Sequence, residues 1–153
     1  MKTKHFFFLV LMLLTAQTTW VDAAPVRSVD SLFSVARSFR YVPDPPEYDQ
    51  WQSADETAAR KSGDCEDKAL WLYRELKKNG YEDVHLVVGR FRPFDRTLHA
   101  WVFYTDDAGK NVILDPTTQR RPWHAEEFSK NYYLPLFSFN DLAAQHRTIA
   151  ASA

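Results

Sequence analysis

The most regular segment of the chain is residues 61–80, KSGDCEDKALWLYRELKKNG. Its apolar side chains recur at helical spacing on the face that carries Cys65 and Leu72. Asp64 is a typical N-cap, acidic residues follow it at the positive end of the helix dipole, and Asn79-Gly80 is a typical helix end. The sequence therefore predicts a helix with Cys65 in its first turn.

Two shorter helices are predicted upstream of this segment. Residues 28–40 show near-helical apolar spacing. The proline-rich residues 41–48 predict an extended loop. Residues 51–60 form the second helix, because Ser53 and Glu56 have the spacing of a capping box.

The hydrophobic period changes to two downstream, which is typical of strands. Strands are predicted at 84–91, 98–104 and 111–115, a short helix at 123–130, and a last strand at 136–139. Helices come first and strands follow. This order predicts an α+β fold, with N-terminal helices packed on an antiparallel sheet.

Composition limits the function classes. A chain of 153 residues suits one domain, and a formal net charge of −1 argues against a nucleic-acid partner. The single cysteine excludes an internal disulfide and any multi-cysteine metal site. With no close pair of histidines either, a zinc site is not expected.

The N-terminus resembles a secretory signal peptide. Lys2 and Lys4 precede an apolar run at 6–16 that is too short to span a membrane well. Val21-Asp22-Ala23 suits cleavage, so we predict a signal peptide at 1–23, a mature domain at 24–153, and a periplasmic or secreted protein. A retained membrane anchor is the less favoured alternative, and no stable membrane insertion is expected after cleavage.

Three residues in this layout can do covalent chemistry. Cys65 lies where helix N–H groups favour a thiolate. A hairpin between the second and third strands places His99 opposite Asp115 in one register and opposite Pro116 in the other. Directly opposed residues lie about 5 Å apart, close enough for a carboxylate to orient an imidazole. Each residue alone also has an ordinary structural interpretation, but their joint arrangement predicts a nucleophile, a base and an orienting group.

The same residues carry a family resemblance. The blocks are Gly63-Asp64-Cys65-Glu66-Asp67, Leu98-His99-Ala100-Trp101-Val102 and Leu114-Asp115-Pro116-Thr117. Together they resemble the transglutaminase-like superfamily. Tyr41-Val42-Pro43-Asp44 and Asp49-Gln50-Trp51-Gln52-Ser53 resemble its bacterial cysteine-peptidase branch.

The resemblance implies a papain-like core, with Cys65 as nucleophile, His99 as general base and then acid, and Asp115 as orienter. The implied reaction attacks a peptide or amide carbonyl and hydrolyses an acyl-thioester. An oxyanion hole is also needed. The backbone N–H of Cys65 is one candidate donor, and Gln52 or Trp51 is a candidate for another.

Acidic residues beside the cysteine oppose thiolate formation. They can be explained by helix capping and the helix dipole alone. The alternative is calcium: adhesin-releasing members of the resembled branch are calcium-dependent, and the matching positions here are Asp64 and Glu66. The chemistry itself requires no cofactor.

Three functions are therefore compatible with the sequence. The first is a thiol hydrolase acting on a peptide or protein amide. The second is an acyltransferase that passes the thioester to an amine. The third is a catalytically inactive module of the same fold that binds a peptide or glycan through aromatic side chains.

Overall fold

The helices lie where the sequence predicts them, with small shifts at their ends. The computed structural model describes residues 26–45 and 47–141. Its helices are α1 Val29–Ser38, α2 Ala54–Arg60 and α3 Cys65–Lys78. The predicted capping box starts α2, since the Ser53 side chain accepts the Glu56 N–H and the Glu56 carboxylate accepts the Ser53 N–H.

The strands form two sheets. They are β1 Arg40–Tyr41, β2 Ser62–Gly63, β3 Val84–Arg90, β4 His99–Thr105, β5 Asn111–Leu114, β6 Trp123–His124 and β7 Leu134–Phe139. β1 and β2 pair in parallel, which periodicity did not predict. The other five form an antiparallel sheet in the order β6-β5-β4-β3-β7.

Helix α3 packs on one face of the five-stranded sheet, and α1 and α2 pack against α3. Side chains that are fully buried between the two layers are Leu32, Leu72, Leu76, Leu86, Val102 and Leu114. A second cluster of Val87, Trp101, Ile113 and Tyr133 covers part of the other face. Each buried aliphatic side chain stabilises the fold by about 1.5–3 kcal/mol relative to its exposed state. The predicted α+β class is confirmed.

The β4–β5 hairpin differs from both predicted registers. Val102 pairs with Leu114, and β5 ends there, so neither Asp115 nor Pro116 stands directly opposite His99. Asp115 follows the strand and reaches His99 from beyond the end of the ladder.

A wider turn than expected causes this difference. The loop occupies residues 106–110, and the Asp106 N–H donates to the carbonyl of Lys110 at 2.9 Å. Gly109 closes the loop with a φ of 75°, a left-handed conformation that glycine adopts without steric cost.

The prediction of a helix at 123–130 is wrong. Residues 123–124 form strand β6 against β5, and only Ala125–Glu127 forms a 3₁₀ turn. Phe128 turns back onto Trp123, with ring centroids 5.2 Å apart. Tertiary packing of these aromatic side chains outweighs the weak helical preference.

Two predictions concern residues that are not described. The signal peptide at 1–23 lies outside the described residues, and so do both ends of the predicted mature domain, 24–153. Among residues 26–45 and 47–141, none of the helices has the length and apolar character needed to cross a bilayer.

Candidate active site

Cys65 is positioned by the turn that precedes α3. The Asp64 N–H donates to Asp67 Oδ2 at 3.3 Å, which fixes the first turn of the helix. A Cβ on Gly63 would lie 2.5 Å from that same oxygen, so only glycine leaves room for the carboxylate. The motif from Gly63 to Asp67 therefore works as one unit that presents Cys65 at the helix start.

Asp67 also holds the segment before α2. The Gln52 backbone N–H donates to Asp67 Oδ1 at 2.7 Å, and its side-chain amide donates to Asp67 Oδ2 at 2.5 Å. Gln52, one predicted oxyanion-hole donor, is thus bound to α3. Trp51, the other candidate, is 42% exposed and lines the cleft that contains Cys65.

The Cys65 thiol lies in a negative environment. It donates to Glu66 Oε2 at 3.0 Å. Burial, followed by the hydrogen bond and charge of Glu66, raises the pKa of Cys65 to about 12, and a hydrogen bond from the Ala100 backbone N–H only partly opposes this. A thiol with this pKa is protonated at neutral pH.

His99 and Asp115 form the opposite half of the site. His99 Nε2 lies 2.7 Å from Asp115 Oδ2, and the Asp115 side chain is fully buried. Asp115 Oδ1 accepts the backbone N–H groups of Thr117 at 2.9 Å and Thr118 at 3.2 Å. Burial alone would raise the pKa of Asp115. The hydrogen bond and charge of His99, together with hydrogen bonds from Thr118 and Thr117, outweigh burial and lower this pKa.

One cleft of about 800 Å³ is lined by both Cys65 and His99. Ala100, the residue next to His99, also lines this cleft, and its backbone N–H lowers the pKa of the Cys65 thiol. Within the described ranges, no hydrogen bond joins Cys65 directly to His99. Asp115 occupies Nε2 of His99, so Nδ1 is the nitrogen left for proton exchange with the thiol.

Four carboxylates lie together at the cleft. Asp44, Asp49, Asp64 and Glu66 each place one oxygen so that all four lie within 4.8 Å of one another. Asp64 Oδ1 is buried and has no hydrogen-bond partner. Burial, and hydrogen bonding with neighbouring carboxyl groups, raise the pKa of Glu66 to about 8. Among the described residues, no Lys or Arg forms an ion pair with these four carboxylates, so their negative charges are not neutralised by the protein.

The cluster fits a hard divalent cation. Calcium binds oxygens at about 2.3–2.6 Å, so two oxygens on opposite sides of it lie about 4.6–5.2 Å apart. Four oxygens within 4.8 Å of one another could all contact one calcium ion, and the orphaned oxygen of Asp64 is available as a ligand.

Sequence reasoning identified Asp64 and Glu66 but missed Asp44 and Asp49. Both missed residues lie in the blocks that resemble the cysteine-peptidase branch, so the resemblance could have pointed to them. Their convergence depends on the path of the loop at 41–53, where Asp44 Oδ2 accepts the Gln50 N–H. Local patterns do not specify such a path.

The fold is similar to that of calcium-bound LapG of Legionella pneumophila, with a TM-score of 0.61 and 24% identity over 73% of this chain and 63% of LapG. EGTA-treated LapG gives the same score over 61% of its chain. A proposed cysteine protease from Cytophaga hutchinsonii has a TM-score of 0.50 and 16% identity over 75% of this chain and 35% of its own.

The chain thus spans less than two thirds of the length of LapG. No protein-family model and no curated protein matches it.

Proposed function

We propose that this protein is a periplasmic or secreted cysteine peptidase that cleaves a peptide or protein amide bond through Cys65, His99 and Asp115. The observation that carries the proposal is the 2.7 Å bond between His99 and Asp115 at a cleft that Cys65 also lines. The location rests on the signal-like N-terminus of the sequence.

The chemistry divides between the two halves of the site. Cys65 transfers its proton to His99 Nδ1 as the sulfur attacks the carbonyl carbon. His99 then gives this proton to the leaving amine, the C–N bond breaks, and an acyl-thioester remains on Cys65. Water attacks the thioester with His99 as base and releases the acid, while Asp115 holds the imidazole in one orientation throughout.

The tetrahedral intermediate needs hydrogen-bond donors for its oxyanion. The backbone N–H of Cys65 lies at the start of α3, where helix N–H groups are unsatisfied. Trp51 borders the cleft and remains a candidate for the second donor. Gln52 would contribute only through the amide hydrogen that Asp67 does not take.

Calcium is a proposed cofactor of this site. Asp44, Asp49, Asp64 and Glu66 would hold it, which adds two ligands to the pair predicted from sequence. When bound, calcium would supply positive charge that offsets the carboxylates beside the thiol. The calcium-bound form of LapG, a protein of the same fold, supports this assignment.

Histidine variants and an internally quenched peptide library test the proposal. We expect His99→Ala to lower the cleavage rate by about 10²–10⁴, the usual contribution of a general base. His85→Ala, which alters the histidine of the neighbouring strand, should leave the rate unchanged. Full activity of His99→Ala would contradict the proposal.

A primary amine added to this assay separates the other two functions. A peptidase gives a free carboxylate as the product, whereas an acyltransferase gives the amide of the added amine; mass spectrometry distinguishes them. An inactive binding module would retain peptides without cleaving them, and Cys65→Ser would behave like the wild type.

A further inference from the structure

Tyr133 is held in an unusual conformation next to the site. Its φ is 53°, in the left-handed region that bulky residues seldom occupy. Its backbone N–H donates to the carbonyl of Phe91 at 3.0 Å. Its ring packs edge-on against Phe91, Trp101 and Phe128 at centroid distances of 4.9–5.3 Å. The surroundings therefore fix both the backbone and the ring.

The Tyr133 hydroxyl is directed at the carboxylate of Asp115. It donates to Asp115 Oδ2 at 3.1 Å, on the same oxygen that contacts His99. Thr118 Oγ1 donates to this oxygen as well, at 2.5 Å. A hydroxyl has one proton, so when both hydroxyls donate to Asp115, neither has a proton left for the 3.2 Å contact between Thr118 Oγ1 and the Tyr133 hydroxyl.

Gln119 closes a ring of hydrogen bonds. The Asp115 backbone N–H donates to Gln119 Oε1 at 3.2 Å, which orients the amide. The amide nitrogen then donates to the Tyr133 hydroxyl at 3.0 Å. Each donor in the ring meets an acceptor, and Gln119, Tyr133 and Asp115 are all buried. The hydroxyl of Tyr133 is thereby left with its proton for Asp115.

We propose that Tyr133 is a positioning residue of the active site, whose hydroxyl fixes the Asp115 carboxylate and through it the imidazole of His99. The proposal rests on the proposed function and extends it by a residue from the segment just before β7. Among the described residues, the charged groups that face Asp115 are His99 on β4 and Lys68 on α3. Tyr133 adds a neutral donor to the Asp115 carboxylate.

Alkylation of Cys65 by iodoacetamide tests this role, because Cys65 is the only cysteine of the chain. All variants are compared at the calcium concentration at which Cys65 of the wild type is alkylated fastest. Tyr133→Phe removes only the hydroxyl, and we expect about a fivefold slower reaction, since a hydrogen bond to a charged group is lost while other donors to Asp115 remain. The matched control is Tyr132→Phe, whose hydroxyl makes no hydrogen bond with the described residues.

The same substitution in a His99→Ala background separates positioning from general structural damage. If Tyr133 acts through Asp115 and His99, Tyr133→Phe slows alkylation in the wild type and has no further effect once His99 is gone. An equal slowing in both backgrounds would overturn the proposal, and so would a Tyr133→Phe rate equal to that of Tyr132→Phe. Thermal melting of each variant checks folding.

If Tyr133→Phe does not fold, Gln119→Met gives the test, because it removes the donor that orients the Tyr133 hydroxyl. It should slow alkylation in the wild type only, and an unchanged rate would overturn the proposal. If His99→Ala itself leaves alkylation unchanged, the proposed function fails. If His99→Ala slows alkylation while Tyr133→Phe does not, only the positioning role fails.

Discussion

Among the described residues, two histidine–aspartate pairs of the sheet are hydrogen-bonded, and only one of them contributes a residue to the cleft. His99 Nε2 contacts Asp115 at 2.7 Å, with side chains 14% and 0% exposed. His85 Nε2 contacts Asp83 at 3.0 Å, with side chains 25% and 55% exposed. His85 Nδ1 even lies 3.1 Å from the hydroxyl of Ser138, which completes an array of hydroxyl, imidazole and carboxylate.

The comparison shows that the array alone does not define a catalytic site. Asp83, His85 and Ser138 lie away from the residues that line the cleft. Asp83 is also open to water, so its interaction with His85 is weak and replaceable. Asp115 is fully buried and depends on its donors to remain ionised. Burial and a shared cleft distinguish the His99 pair.

The largest expected difference between the pairs is in the rate of peptide cleavage after the charge of each carboxylate is removed. Asp115→Asn should lower the rate of peptide cleavage by about 10²–10⁴. The groups that contact the two Asp115 oxygens are hydrogen-bond donors, and the NH₂ of an asparagine is also a donor, so some of these hydrogen bonds would be lost. Asp83→Asn should cleave at the wild-type rate. Equal effects of the two changes would show that the buried pair has no special role.

The nucleophile half can be tested through Glu66, whose hydrogen bond and charge raise the pKa of the Cys65 thiol. A neutral residue there lowers this pKa, so the thiolate fraction increases at a fixed pH above the Glu66 pKa of about 8, where the wild-type carboxylate is ionised. With EGTA present, Glu66→Gln should therefore be alkylated about three- to tenfold faster than the wild type. A slower reaction in EGTA would contradict this.

Calcium should affect alkylation of these two proteins to different extents. Added calcium is expected to accelerate alkylation of the wild type and to have little effect on Glu66→Gln, because a proposed ligand is missing. Glu75→Gln, which changes a carboxylate further along α3, should respond to calcium like the wild type. An equal response of all three proteins would remove Glu66 from the proposed site.

The last expected difference, of the same size as the Glu66→Gln effect, involves two threonines. Thr118 Oγ1 donates to Asp115 Oδ2 and Thr105 Oγ1 donates to Asp83 Oδ2, both at 2.5 Å. Thr118→Val should lower the cleavage rate about three- to tenfold, since a buried charge loses one donor. Thr105→Val should have no effect on cleavage, and a loss as large as that of Thr118→Val would contradict the distinction between the pairs.

The sequence was sufficient for the parts of the fold that depend on local chemistry. The capping box at Ser53 and the helix that begins at Cys65 follow from patterns over a few residues. The register of the β4–β5 hairpin did not follow, because Gly109 allows a wider turn. The helix expected at 123–130 failed because aromatic packing onto the sheet determines that segment.

The candidate site shows the same division. Cys65 and His99 stood out because their residue types are reactive and their positions in a helix and a strand were predictable. Asp49 and Tyr133 reach the site from loops whose paths depend on distant contacts, such as the backbone bond from Tyr133 to Phe91. One sequence contains no local signal for such contacts.

The central claim is that Cys65 is a nucleophile activated by His99. The most direct measurement is the rate of Cys65 alkylation as a function of pH, with saturating calcium, for the wild type and His99→Ala. We expect the wild type to react well below about pH 8.5, the reference value for a free thiol, and His99→Ala to require higher pH. If both proteins react with the pH dependence of an ordinary thiol, the claim is wrong.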